Sequence, residues 1–179
     1  GDVPPEPGWT SCVQSAWQHF HDRRQDVVIH EVWNEPDFPA LGFFKGSEQD
    51  YYELYARTSQ RLRALDPDAK IAGPTTAFPS WLGAFTDYVR AHQLPLDVLT
   101  FHQYTRLGQN DHIAQAAAAL GRYHDLDTVE LVMDEYHPYN PWPKNGPPQN
   151  FQGATDLLYD ALRFSRRLSA SLTGGVRWF

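Results

Sequence analysis

Two carboxylates spaced a hundred residues apart, Glu35 and Glu135, are the side chains here best suited to chemistry. Glu35 closes the run Val32-Trp33-Asn34-Glu35-Pro36, and Glu135 lies in Val132-Met133-Asp134-Glu135-Tyr136. Each ends a short apolar segment that reads as a buried strand. Such a pair suits glycoside hydrolysis. One carboxyl group protonates the leaving oxygen while the other attacks, or activates water at, the anomeric carbon.

The elements that must position this pair alternate regularly. Helical spacing of Val13, Ala16, Trp17 and Phe20 predicts a helix over 10–24, and Val27 to Trp33 predict a strand. Ser47 and Asp50 form a capping-box pattern ahead of a helix over 47–65, with Tyr51, Leu54, Tyr55, Leu62 and Leu65 as its stripe. Asp66-Pro67-Asp68 ends it, because proline cannot continue the ladder. A strand at 69–73, a helix at 79–92 and a strand at 97–104 follow. A helix at 111–124 and a strand at 128–135 come next. A loop with Pro138, Pro141, Pro143, Pro147 and Pro148 leads to a helix at 151–169 and a last strand at 175–179. Strands separated by helices predict a parallel sheet. Five strands make an incomplete (β/α)8 TIM barrel, since the closed form has eight and about 250 residues. The expectation is one domain over residues 1–179, holding the fourth to eighth strands, with the first three strands and any C-terminal domain absent. Its edge strands would then lack partners.

Composition narrows the partners. With 179 residues, 41% hydrophobic, the chain can bury one sizeable core. It has no apolar run of the roughly 20 residues a membrane span needs. Its opening Gly1-Asp2-Val3-Pro4-Pro5 lacks a signal-peptide pattern, and a soluble protein of unassigned compartment is expected. A net charge of −7 without a basic cluster argues against nucleic acid and anionic membranes. The single Cys12 excludes an internal disulfide and a cysteine-rich zinc site. Six Trp, nine Tyr and ten Phe fit a carbohydrate ring as partner, although cores use aromatics too.

For Asn-Glu-Pro the plain alternative is a solvated surface turn, but the core-like Val27-Val28-Ile29 ahead of it favours a site. In a regular strand Asn34 and Glu35 would face opposite sides, so both reach one ligand only if the strand end is bulged or turning. A general acid must hold its proton at neutral pH, so Glu35 should sit where burial or the second carboxylate favours the protonated form. In the later strand, parity puts Leu131, Met133 and Glu135 on one face and Val132 and Asp134 on the other, so one acid alone should point into the site.

The stretch His30-Glu31-Val32-Trp33-Asn34-Glu35-Pro36-Asp37, continued by Phe43-Phe44-Lys45-Gly46 and by Gln49 to Tyr55, resembles glycoside hydrolase family 39 of clan A. Leu62 to Pro67 and Ile71-Ala72-Gly73-Pro74 are similar in kind and spacing. The resemblance implies a β-xylosidase or α-L-iduronidase type of catalytic barrel acting with retention. It implies Glu35 as general acid/base, Asn34 as a contact to the sugar 2-hydroxyl, and Glu135 as nucleophile. Asp134 departs from the small hydroxyl residue common there, and a structural role bonded to a nearby helix or turn is expected for it. His102 and Tyr104, sharing a face of the 97–104 strand, are expected to touch substrate or nucleophile. Trp33, Tyr136 and Trp178 are further candidate substrate contacts, with His137, Tyr139 and Trp142 shaping the leaving-group side. Packing alone is the alternative for His102 and Trp178.

Two other classes compete. A barrel metallohydrolase would use His102, Glu135 and His137 with help from Glu35, but an early His-x-His and a bridging strand-end lysine are missing. No metal and no cofactor are therefore expected. A non-catalytic carbohydrate-binding fragment is the other alternative. Xylosides fit better than iduronides, which would want a basic group such as Arg106.

Overall fold

The computed structural model describes residues 2–23, 29–103, 112–136 and 176–177. The elements are α1 (Gly8–Asp22), β1 (Ile29–Glu31), α2 (Glu48–Leu65), β2 (Lys70–Thr76), α3 (Leu82–Ala91), β3 (Val98–Gln103), α4 (His112–Leu120), β4 (Glu130–Tyr136) and β5 (Val176–Arg177). Single 3-10 turns lie at Pro39–Leu41, Pro79–Trp81 and His124–Leu126. The strands pair in chain order, β1-β2-β3-β4-β5, and every pairing is parallel. That is the expected α/β alternation. The expected helix at 151–169 and the proline-rich loop lie outside the described residues.

The two faces of the sheet bury different residues. On one face Ile71, Leu99, Phe101, Leu131 and Met133 meet Tyr51, Leu54, Tyr55, Leu82 and Phe85 of the helices. On the other, Ile29, Ala72, Val98 and Val132 form a small cluster of their own. Alternation along each strand produces this split, and the small cluster marks the inner, concave side.

Helix α2 starts as its sequence dictates. Ser47 Oγ accepts the Asp50 N–H, while Asp50 Oδ2 accepts the Ser47 N–H at 2.7 Å, closing the capping box. Its inward ring face leaves little room on β2. A Cβ added at Gly73 would stand 2.8 Å from Cε2 of Tyr55 and 3.2 Å from Oη of Tyr51. At the opposite end of the sheet, Asp97 accepts the Ile71 N–H at 2.9 Å and pairs with Arg63 at 2.5 Å, and Lys70 bridges to Glu130.

One expectation is corrected, at the end of β1, and the expected first helix lies outside the core. Helix α1 forms but buries none of its residues. Val13 and Trp17 only lean on the core, and Phe20 is 41% exposed, because α1 packs on the outside of α2 rather than on the sheet. Strand β1 ends at Glu31, before the expected end at 33. After Glu31 the backbone leaves the ladder, with Trp33 at φ 75° and Glu35 at φ 46°.

Candidate active site

The departure of the chain after β1 builds the site. Left-handed backbone at Trp33 and Glu35 is costly for residues with a Cβ and persists only when the surroundings fix it. They do so here. Tyr51 Oη donates to the Val32 carbonyl at 2.9 Å, and the Glu35 N–H donates to the Thr75 carbonyl at 3.0 Å. Thr75 is itself left-handed, at φ 56°, and its N–H donates to Thr100 Oγ1 at 3.1 Å. Asp37 accepts the N–H groups of Ala77 and Phe78 at 2.8 and 2.7 Å, tying the turn to the end of β2. Burial pushes the Asp37 carboxyl up to about 6, against those two N–H groups and with help from the nearby charge of Glu35.

The turning strand end thus puts Glu35 inside, 5% exposed, and leaves Asn34 exposed. Glu35 meets His102. The His102 ring is fully buried, with Nδ1 2.8 Å from Glu35 Oε1 and 3.5 Å from Glu135 Oε2. The imidazole is fixed from behind, since His112 at the start of α4 donates from Nδ1 to the His102 carbonyl at 2.7 Å. Burial works against the charged ring, but Glu35, Asp134 and Glu135 outweigh it and raise the His102 pKa.

Glu135 reaches this point because the β3–β4 register shifts. Phe101 pairs with Met133, and the next residue, His102, pairs with Glu135, so Asp134 is skipped. The parity expectation of one inward acid is therefore corrected: both acids approach His102, with Asp134 Oδ1 3.6 Å from Nε2. Among the described residues, no hydrogen bond joins the Asp134 side chain to a helix or turn. Its side chain is hydrogen-bonded to Glu31 of β1, and burial, the Glu31 charge and that bond push it up to about 8. Three strand spacings separate β1 from β4, about 14 Å in a flat sheet, so this contact requires a strongly curled one.

The structure brings Glu35, His102 and Glu135 together. Trp33 goes elsewhere, its ring 5.7 Å from Trp9 and 5.5 Å from Phe44 in the helix-side packing. Tyr136 ends β4 in register with Gln103. Tyr104, His137, Tyr139, Trp142 and Trp178 lie outside the described residues. Glu31 and Asp37 were not legible as site residues. Glu31 shares strand parity with the inward Ile29, which was the available signal, whereas Asp37 depends on a turn geometry that spacing does not encode.

The oxygen and nitrogen donors of Glu35, His102 and Glu135 lie within 4.8 Å of one another, a spacing that ligands of one cation can also have. Two ligands on a tetrahedral zinc stand about 3.4 Å apart. The 2.8 Å between His102 and Glu35 is instead a hydrogen bond, so the trio is built around proton sharing. Two carboxylates this close beside one imidazole nitrogen can divide acid and nucleophile roles at a single sugar carbon.

Comparison with known proteins identifies a family. The family model of glycosyl hydrolases family 39 matches residues 8–147. A β-xylosidase of Caldicellulosiruptor saccharolyticus is 27% identical over 175 residues, covering 90% of this chain and 35% of the relative. A β-xylosidase of Geobacillus stearothermophilus is 28% identical over 115 residues, 59% of this chain and 22% of its own length. The crystal structure of a family 39 enzyme from Xanthomonas axonopodis pv. citri superposes with a TM-score of 0.69 at 24% identity, over 78% of this chain and 32% of that one. The chain thus spans about a third of the length of the first of these relatives, and its fold is part of their TIM-barrel type. With most of its length matched by the family model, the chain belongs to glycosyl hydrolases family 39.

Proposed function

We propose that this chain carries the catalytic half of a retaining glycoside hydrolase of the β-xylosidase kind. In this reading β1 to β5 are the fourth to eighth strands of a barrel, and residues 1–179 form one partial domain. Glu135 attacks the anomeric carbon as Glu35 protonates the leaving oxygen. Glu35 then takes a proton from the water that releases the sugar.

The observation that supports the reading is the convergence of Glu35 and Glu135 on Nδ1 of one buried histidine, with donor atoms within 4.8 Å. Retention wants carboxyl groups about 5 to 5.5 Å apart, whereas inversion needs about 6.5 to 9.5 Å to admit a water. Burial of Glu35 suits an acid, and the 41% exposure of the Glu135 side chain leaves it open to substrate. In this reading Asn34, exposed beside Glu35, contacts a sugar hydroxyl. The xylosidase relatives favour a xyloside as substrate.

The test is hydrolysis of a panel of nitrophenyl glycosides by the full natural chain that carries this sequence, with Glu35→Gln and Glu135→Gln as controls. Release from xylosides that falls about 10²- to 10⁴-fold in Glu35→Gln supports the acid assignment. Equal activity in wild type and Glu135→Gln overturns the nucleophile. Because the match covers only 35% of the first relative, a second reading is that this segment binds sugar without completing a site. Activity in the longer chain and none in the 179-residue chain supports that division.

A further inference from the structure

The catalytic reading uses Glu35, His102 and Glu135 but leaves Asp134 and Glu31 pressed together in the same concavity. We propose that Asp134, braced by Glu31, is a positioning residue for His102: it keeps a hydrogen on Nε2 so that Nδ1 alone exchanges a proton with Glu35. The proposal rests on the reading of Glu35 as acid/base.

The geometry argues it in three steps. Two ionised carboxylates cannot hydrogen-bond to each other, so the Asp134–Glu31 contact holds a proton. Asp134 is the partner pushed upward, and its O–H is then spent on Glu31. That leaves Oδ1 as an acceptor, and Oδ1 is the atom 3.6 Å from His102 Nε2, a separation that a slight approach closes to a hydrogen bond. An acceptor opposite Nε2 holds hydrogen there whether the ring is neutral or charged. The variable proton is then confined to Nδ1, which faces Glu35 Oε1 at 2.8 Å. An acid that must give up a proton and recover it in the next step gains a neighbour that can share it without turning.

The charges around Asp134 fit this role. Glu31 faces it from β1 and His102 from β3; Glu135 follows it on β4, and Glu35 lies on the far side of the ring. Strand β2 adds none at this level, because its lysine, Lys70, pairs with Glu130 at the other end of the sheet. On β5, Arg177 is in register with Val132. Ionisation of Asp134 would put a second negative charge against Glu31, so the brace should fail on the alkaline side.

The experiment combines ring-nitrogen NMR of His102 with pH profiles of kcat/KM, both in the full natural chain that carries this sequence, for wild type, Asp134→Asn and Asp134→Ala. Asparagine keeps an acceptor for Nε2 and a donor for Glu31 but cannot ionise. Neutral His102 should be the Nε2–H tautomer in wild type and Asp134→Asn and a mixture in Asp134→Ala. The alkaline limb of kcat/KM should move up by a pH unit or more in Asp134→Asn, and kcat/KM should fall tenfold or more in Asp134→Ala. A single Nε2–H tautomer in Asp134→Ala, or superimposable profiles for wild type and Asp134→Asn, overturns the proposal. If Asp134→Ala does not fold, the Asp134→Asn profile decides. If glycosides are not hydrolysed at all, the functional reading fails, while a Glu31→Gln tautomer equal to wild type would separately refute the brace.

Discussion

His102 Nδ1 lies 2.8 Å from Glu35 Oε1, although the two residues are separated by 67 positions and Glu35 follows β1 while His102 stands on β3, with β2 between. A buried imidazole with carboxylates on both ring nitrogens is where the fold places its charge.

Removing the ring should expose that dependence. In His102→Asn the buried Glu35 loses its partner, and stability should fall by about 1–3 kcal/mol. The pH dependence has a fixed sign. A raised histidine pKa contributes stability that is complete below the unfolded value of about 6.5 and is lost as pH rises through the higher folded value. Urea unfolding between pH 5 and 8 should show that decline in wild type and a flatter profile in His102→Asn.

Asp37 should act with its own sign. Its folded carboxyl, raised to about 6 from an unfolded value of 3.8, binds a proton more tightly than the unfolded chain does. Stability from this group is therefore greatest below the unfolded value and falls as pH rises from about 4 to 6, by roughly 3 kcal/mol at 1.36 kcal/mol per unit. Asp37→Asn should abolish that slope while keeping one acceptor for the Ala77 or Phe78 N–H. Unfolding free energies of the two chains at pH 4, 5, 6 and 7 check it. Parallel curves would assign the slope to other groups.

Gly73→Ala should destabilise through packing alone. The new methyl would stand 2.8 Å from the Tyr55 ring, which is fully buried, and overpacking of this kind costs about 1–3 kcal/mol. Thermal unfolding measures it, and Gly73→Ala combined with Tyr55→Leu should recover part of the loss. An unchanged melting temperature in the single variant would mean that α2 shifts freely on β2.

How much of this was readable before the structure follows from which forces act locally. The α/β order, the Ser47–Asp50 capping box and the stop at Asp66 come from periodicity and end signals, which short segments encode on their own. The α1 stripe marked a helix that forms, but spacing shows an apolar face without showing what it packs against; Phe20 stays exposed. At the site, residue types and strand ends pointed to Glu35, Glu135 and His102. Strand parity failed at Asp134, since a register shift between β3 and β4 cannot be read from one strand. The Glu31–Asp134 contact depends on sheet curvature, a property of all the strands together.

The most direct measurement of the central claim is peptide mass analysis of the full natural chain after reaction with a 2-deoxy-2-fluoro-xyloside bearing a good leaving group, a substrate that slows release of a covalent sugar more than its capture. The account predicts one added sugar on the peptide containing Glu135, absent in Glu135→Gln and released on addition of a sugar acceptor. A label on Asp134 or another carboxylate, or turnover to a product of inverted configuration with no label, would contradict it.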